Sequence, residues 1–496
     1  MSSIRVTYSG LIGLVIGLST VITGMIFILI VTRSLSPEEL GTWGLVGGLI
    51  TYVVILEPMI SYWTQREIAR DIDSGKTAVI SSGVFSIVGT LAFLLIAFVV
   101  SEPTNTDIDI LFFAALMIPF SFLNRTLSAI ALGWKPHVNS YGVLVFDIAK
   151  IPSAFVFVYL MELGIYGAIL SLIVSYIPSI VILVILSRHK LQNNFNRDFL
   201  KNWLKHAWLP SYIKFPNMVV LDVLIFSLIT GSVVGLAYWV AATTIGTATR
   251  HTSQITRAVY PKLLSGGRKE ILQSNLIRLF YFTFLFMAIS ITFAKPALFT
   301  LNPIYDVAIL AVIFITIRSF VKTLGSSFTQ ALQGIENVDS KQSTQKEYLK
   351  SKLFYLPSIR LIRRGVYLST LSIGLLLLIQ SDSSQINLVI YWSIILFLVE
   401  IPFTIYYYYL VRKNFPLSLD VVAIIKYLII SVGVFGGIYF LMDRFLVYTE
   451  SIFEFLPNVI PFLILGVLAY FGLTYLIDKK TRKLFNSVYL EIKRKK

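Results

Sequence analysis

Apolar runs of twenty residues or more recur along the whole chain, and that feature dictates what it can fold into. About 20 apolar residues, as a helix, cover the hydrocarbon core of a bilayer. Within that core only helices and closed barrels satisfy every backbone N–H and C=O. Such runs occur at roughly 8–31, 41–63, 78–101, 110–132, 141–161 and 164–187, then at 214–231, 233–253, 276–298, 306–331, 364–381, 387–411, 421–442 and 456–477. They predict an all-α polytopic membrane protein with 14 transmembrane helices. Runs seven and eight are the weakest, interrupted by Asp222, Gly231 and Gly235. The first run is longer than a signal-peptide core and no small-residue cleavage site follows it, so it reads as a retained span. With 56% of residues hydrophobic and 14% charged, a soluble enzyme carrying a small anchor is excluded.

The charges assign sidedness. With the N-terminus placed in the cytoplasm, 32 of the 42 Lys and Arg fall in cytoplasmic segments and seven within spans. Three lie outside: Arg33, Lys295 and Arg444. That asymmetry follows the positive-inside rule, and it predicts a cytoplasmic-membrane protein with both termini cytoplasmic. The net charge of +16 then faces anionic lipid, and no nucleic-acid partner is expected. External segments such as 102–109, 162–163, 232 and 382–386 are too short for an acceptor-binding domain, which argues against an enzyme working on the outer face. The chain has no cysteine, and His137, His189, His206 and His251 are scattered, so no metal centre and no cofactor are expected.

Two cytoplasmic segments have amphipathic periodicity. Residues 191–213 place Phe195, Phe199 and Trp203 at i, i+4 spacing with Lys201 and Lys205 between them. The tail carries Leu484, Val488 and Ile492 on one stripe, with Phe485 and Tyr489 beside it and Lys479, Lys480, Lys483 and Lys493–Lys496 around it (position 494 being Arg494). Both read as basic helices in the inner interface. Recognition of anionic lipid and ordinary topological anchoring both remain open.

The two halves echo one another. The segment Thr32–Trp43 after span one has a counterpart in Thr230–Trp239 after span seven. Span four carries Arg125-Thr126-Leu127 and ends Ala131-Leu132-Gly133; span ten carries Lys322-Thr323-Leu324 and ends Ala331-Leu332-Gln333-Gly334. Same order and same side indicate two parallel six-span repeats.

These residues also resemble a known family. The motif Arg33-x-Leu35-x-Pro37-Glu38-Glu39-x-Gly41, the Gly133–Lys135 end of span four and Gly164-x-x-Gly167-Ala168 entering span six are similar to those of polysaccharide and oligosaccharide flippases. These flippases belong to the multidrug/oligosaccharidyl-lipid/polysaccharide (MOP) exporter superfamily. Leu221-Asp222, Gly231, Gly235–Ala241, Tyr260-Pro261-Lys262 and Asn302-Pro303-x-Tyr305-x-x-Ala308 continue the resemblance over roughly residues 5–410. The chain departs from the pattern in an extra residue within Gly235-Leu236-Ala237-Tyr238 and in a long basic segment at 335–363. The resemblance implies two six-helix lobes around a central cavity, plus two C-terminal helices. The expected organisation is an N-lobe at 1–190, an amphipathic linker at 191–213, a C-lobe at 214–411 containing the segment 335–363, spans 13 and 14 within 412–477, and a basic tail at 478–496.

Ionisable residues at membrane depth cost about 2.5–3.5 kcal/mol on insertion scales and therefore mark function or pairing. The deep candidates are Glu57, Arg125, Asp147, Lys150, Asp222, Arg318, Lys322 and Glu400; Arg250, Arg278 and Lys426 lie near span ends and can snorkel. Asp147 and Lys150 are three apart and can pair. Arg125 and Lys322 hold matching depths in matching spans, and Arg318 lies one turn from Lys322. With Lys150 these cations are candidates for holding a diphosphate, or for bonding neighbouring helices. Glu57, which precedes Pro58, and Asp147, Asp222 and Glu400 are open to two readings: coupling to a proton or sodium ion, and charge pairing. The function expected from residues and resemblance together is alternating-access flipping of a polyprenyl-(pyro)phosphate-linked oligosaccharide for cell-surface glycan assembly. A cation-coupled multidrug antiporter of the same superfamily and an integral-membrane glycan polymerase or ligase are the alternatives.

Overall fold

A computed structural model describes residues 6–208, 212, 221–256, 270–336, 345–381, 383–415 and 419–482. The tail stripe 484–496 and Tyr260-Pro261-Lys262 lie outside them, as do parts of the linker, of span seven and of the segment 335–363. The described residues form helices and no strand. In chain order they are α1 Val6–Ser34, α2 Pro37–Val53, α3 Pro58–Ala69, α4 Gly75–Ser101, α5 Ile108–Ala114, α6 Met117–Trp134, α7 Pro136–Ala154, α8 Gly164–Ser187, α9 Arg197–Lys205 and α10 Leu221–Thr230. They continue as α11 Val234–Gly246, α12 Glu270–Thr292, α13 Ala294–Leu301, α14 Ile309–Gly334, α15 Gln345–Lys350, α16 Lys352–Ile379, α17 Gln385–Asn414, α18 Val421–Phe445 and α19 Ile452–Ile477.

Among the described residues, 11 helical stretches are long and apolar enough to cross a membrane, each on an expected span. Three shorter apolar helices, Ile22–Ser34, Leu221–Thr230 and Val234–Gly246, fall on expected spans one, seven and eight. The protein is an all-α multi-pass membrane protein. Its chain divides into two compact units, Met1–Val240 with Leu371–Gln385, and Ala241–Thr370 with Ile386–Lys496.

In the first unit, the turn between α1 and α2 is built by Ser36-Pro37-Glu38-Glu39. Ser36 Oγ accepts the Glu39 amide and Glu39 Oε2 accepts the Ser36 amide, a reciprocal cap of the kind that stabilises a helix start by about 1 kcal/mol. Pro37 sits at the first helical position, where its missing N–H costs nothing. Span two is not one rod. A 3₁₀ turn at Val54–Leu56 separates α2 from α3, and Pro58 opens the second piece, because proline cannot donate the next ladder bond. Span five likewise ends in a π-helical turn, Phe155–Leu160, just after Pro152.

The linker helix α9 belongs to this unit. Trp203 is fully buried beside Ile60 and Ala78, with Trp63, Phe85, Phe199 and Leu200 packed around them. Its Nε1–H donates to Glu67 Oε1 at 2.9 Å. Asn196 N–H donates to Thr77 Oγ1, and Lys190 pairs with Asp73. The sequence places Phe195, Phe199 and Trp203 on one interfacial stripe; the structure turns Trp203 inward and leaves Phe195, Leu204 and Trp208 exposed.

In the second unit, two apolar cores sit along α12. One gathers Leu272, Leu276 and Leu279 with Phe328, Leu332, Leu356, Tyr407 and Val411. The other joins Tyr281, Phe284 and Leu285 to Tyr427, Phe435, Phe455 and Tyr470 of α18 and α19. Hydrogen bonds tie the last two helices in. Tyr281 Oη and Thr474 Oγ1 are 2.9 Å apart, and Tyr470 Oη donates to the Tyr281 carbonyl. Tyr427 Oη donates to Asp478 Oδ2, which also accepts the Thr481 amide.

Candidate functional site

Among the deep charges of the first unit, Asp147 and Lys150 form an ion pair. Lys150 Nζ is 2.5 Å from Asp147 Oδ1, both side chains almost wholly buried on one face of α7. The ammonium also lies 5.9 Å from the Phe27 ring centroid and 5.7 Å from that of Phe146. Of the readings open for this pair, the geometry has the closed ion pair. Asp147 Oδ2 remains buried with no hydrogen-bond partner. Glu57 is buried at the joint between α2 and α3. Asp222 is buried in the first turn of α10, where Oδ1 accepts the Val223 amide. Arg125 is exposed on α6; its neighbour Thr126 turns inward and donates to Ser82 Oγ at 2.9 Å. Among the described residues Arg125 makes no ion pair with Glu57, Asp147 or Asp222.

The second unit gathers its charges instead. Glu400, in the middle of α17, is 3% exposed. Arg363 of α16 donates to its Oε1, and Arg318 Nε of α14 lies 3.5 Å from its Oε2. Lys322, one turn along α14 from Arg318, is half-buried and has no hydrogen-bond or ion-pair partner among the described residues. It sits in the field of four other charged groups: Arg318, Arg250 and Arg363 repel its ammonium, and Glu400 attracts it. Arg250, on a 3₁₀ helix at Ala248–Thr256, keeps a buried Nε without a hydrogen-bond partner. Arg360 reaches Thr329 Oγ1 at 3.4 Å. Arg318 and Arg363 thus meet the Glu400 carboxylate, with Lys322 and Arg250 in its electrostatic field, so among the described residues positive charge exceeds negative here, an imbalance that a low-dielectric setting makes costly.

The structure thus brings Arg318, Lys322 and Glu400 into one cluster and adds residues that the sequence reading set aside. Arg250 does not snorkel away; its charge acts on Arg318 and Glu400. The sequence places Arg363 in the basic segment 335–363, outside the apolar run at 364–381, but α16 begins at Lys352 and includes it. The signal was there in helical phase. Leu356, Ile359, Tyr367 and Leu371 are all buried, and Arg363 stands on the same stripe at three- and four-residue spacing. Among the described residues no three His, Asp or Glu side chains converge as a metal site.

No protein-family model and no curated protein matches the sequence. Solved structures do match the fold. One is the lipid II flippase MurJ in an inward closed conformation, with a TM-score of 0.63 at 13% identity, covering 96% of this chain and 100% of that one. An inward-facing multidrug resistance MATE family transporter of the MOP superfamily gives a TM-score of 0.60 at 15% identity, covering 79% and 95%. An outward-facing MATE transporter gives 0.53 at 15% identity, covering 83% and 94%. The chain has the fold of the MOP superfamily transporters. Within that fold, the motif Pro37-Glu38-Glu39-x-Gly41 acquires a physical reason. A Cβ on Gly41 would lie 1.9 Å from the Val233 carbonyl oxygen, so α2 packs here at a distance only glycine permits.

Proposed function

We propose that the protein flips a polyprenyl-(pyro)phosphate-linked oligosaccharide across the cytoplasmic membrane by alternating access, for assembly of a cell-surface glycan. The observation that carries this reading is Arg318 and Arg363 on the Glu400 carboxylate with Lys322 and Arg250 in its field, Glu400 being the one carboxylate of that cluster among the described residues. Cations with unspent hydrogen-bonding capacity at membrane depth suit an anionic headgroup, because charge-assisted bonds to phosphate offset its lost hydration. A cation-coupled drug antiporter calls for the opposite sign of charge. In the proposed cycle the 14 spans form two six-helix lobes plus two C-terminal helices, with both termini cytoplasmic. Arg125 supplies a cation from the first lobe to match Lys322 and Arg318. Lys150 stays with Asp147, and Asp147, Glu57 and Asp222 are the acidic residues proposed to couple transport to a proton or sodium ion. Anionic lipid faces the basic cytoplasmic side.

The test is a flipping assay with a lipid-linked oligosaccharide in everted vesicles at matched protein levels. Replacing Arg125, Arg318 or Lys322 by Gln should each slow flipping at least about tenfold, the worth of one charge-assisted hydrogen bond. Unchanged rates in all three would overturn the reading.

A further inference from the structure

The two links to Glu400 are unequal. Arg363 holds Oε1 in a close hydrogen bond, whereas Arg318 approaches Oε2 only to 3.5 Å and makes no hydrogen bond through Nε. Arg318 is nevertheless nine-tenths buried, with Lys322 and Arg250 nearby and, among the described residues, no second carboxylate acting on these cations. A guanidinium so placed is loosely met by its own protein and strongly drawn to any stronger anion.

We propose that Glu400 is a specificity-determining counter-anion for the cationic cluster: it partly neutralises Arg318 in the empty site, and an incoming ligand must outcompete it. This rests on the anionic-cargo reading above and names what selects within it. A ligand bearing a single negative charge gains little by replacing one carboxylate with another. A diphosphate carries more charge and more acceptor oxygens, so it engages Arg318 and Lys322 together while Glu400 stays on Arg363. The carboxylate thereby sets a threshold of charge for loading. It also returns to Arg318 when the ligand leaves, which spares the site an uncompensated cation.

Titration calorimetry of the purified full-length protein with inorganic pyrophosphate and with inorganic phosphate tests this. The wild type should prefer pyrophosphate. Glu400→Gln keeps the shape but removes the competitor, so both anions should bind at least about tenfold tighter, phosphate gaining more, and the preference should narrow. Should the single variant fail to fold, Arg363→Gln with Glu400→Gln removes the close pair together and leaves Arg318 equally uncontested; the same narrowing is expected. An unaltered pyrophosphate-to-phosphate ratio in the folded variants would overturn the counter-anion role, since a structural role alone moves stability and not selectivity. If instead the wild type binds neither anion, and Arg318→Gln and Lys322→Gln make no difference, it is the anionic-cargo reading that falls.

Discussion

The Glu39 carboxylate accepts the backbone N–H of Ile165 at 3.1 Å, joining the start of α2 to the start of α8 across 126 positions of sequence. The other oxygen closes the cap on Ser36, so one side chain satisfies two helix N-termini. Gly164 makes the approach feasible. Its φ is +56°, and a Cβ there would sit 2.2 Å from Glu39 Oε1. Gly164→Ala is therefore expected to destabilise the protein by more than about 1 kcal/mol. Glu39→Gln, which keeps one acceptor oxygen, should do less. Thermal melts of the two variants in one detergent check the order.

Breaking the close pair in the second unit should be severe. Arg363→Gln leaves Glu400 buried with only the looser Arg318, and removing one partner of a buried pair costs about 3–5 kcal/mol. Adding Glu400→Gln should restore much of that stability, a coupling that a double-mutant cycle on unfolding midpoints reads directly.

The linker helix offers a contrast between two tryptophans five residues apart. Trp203 is fully buried and bonded to Glu67, whereas Trp208 is 50% exposed. Trp203→Ala should cost about 3–5 kcal/mol and raise protease sensitivity within 191–208. Trp208→Ala should leave both near the parent values.

The absence of cysteine makes topology directly measurable. In intact cells, a membrane-impermeant maleimide should label Glu102→Cys and Glu450→Cys. It should reach Lys201→Cys and Lys350→Cys only after permeabilisation. All four are exposed positions, so a failure to label reports sidedness and not burial.

Most of the helices were legible because a bilayer demands long apolar runs, and those runs are written in the sequence itself. The exceptions have local causes. Span two reads as one stretch from 41 to 63, yet Pro58 removes a ladder donor and the helix breaks there. Hydropathy starts this span at 364 because Arg360, Arg363 and Arg364 lower it locally, while the stripe of Leu356, Ile359 and Tyr367 carries the helix straight through them from Lys352. Of the candidate site, the residue types were legible and most pairings were not. Asp147 with Lys150 is a local match at three-residue spacing. Glu400 with Arg363 spans 37 positions and depends on how α16 and α17 rotate against one another. The sequence motifs around Glu39 and around Gly164 were noted separately; only the fold makes them a single contact.

The break at Glu57 and Pro58 has a mechanical consequence. A continuous helix resists bending along its whole length, but a rod with a joint at mid-height swivels there and stays stiff on either side. The arm that follows the joint, α3, carries Glu67, whose carboxylate accepts the indole N–H of Trp203 in the linker. A tilt of α3 about the joint would carry α9 with it, because the Glu67–Trp203 bond and the packing of Ile60 against Trp203 tie the two helices together.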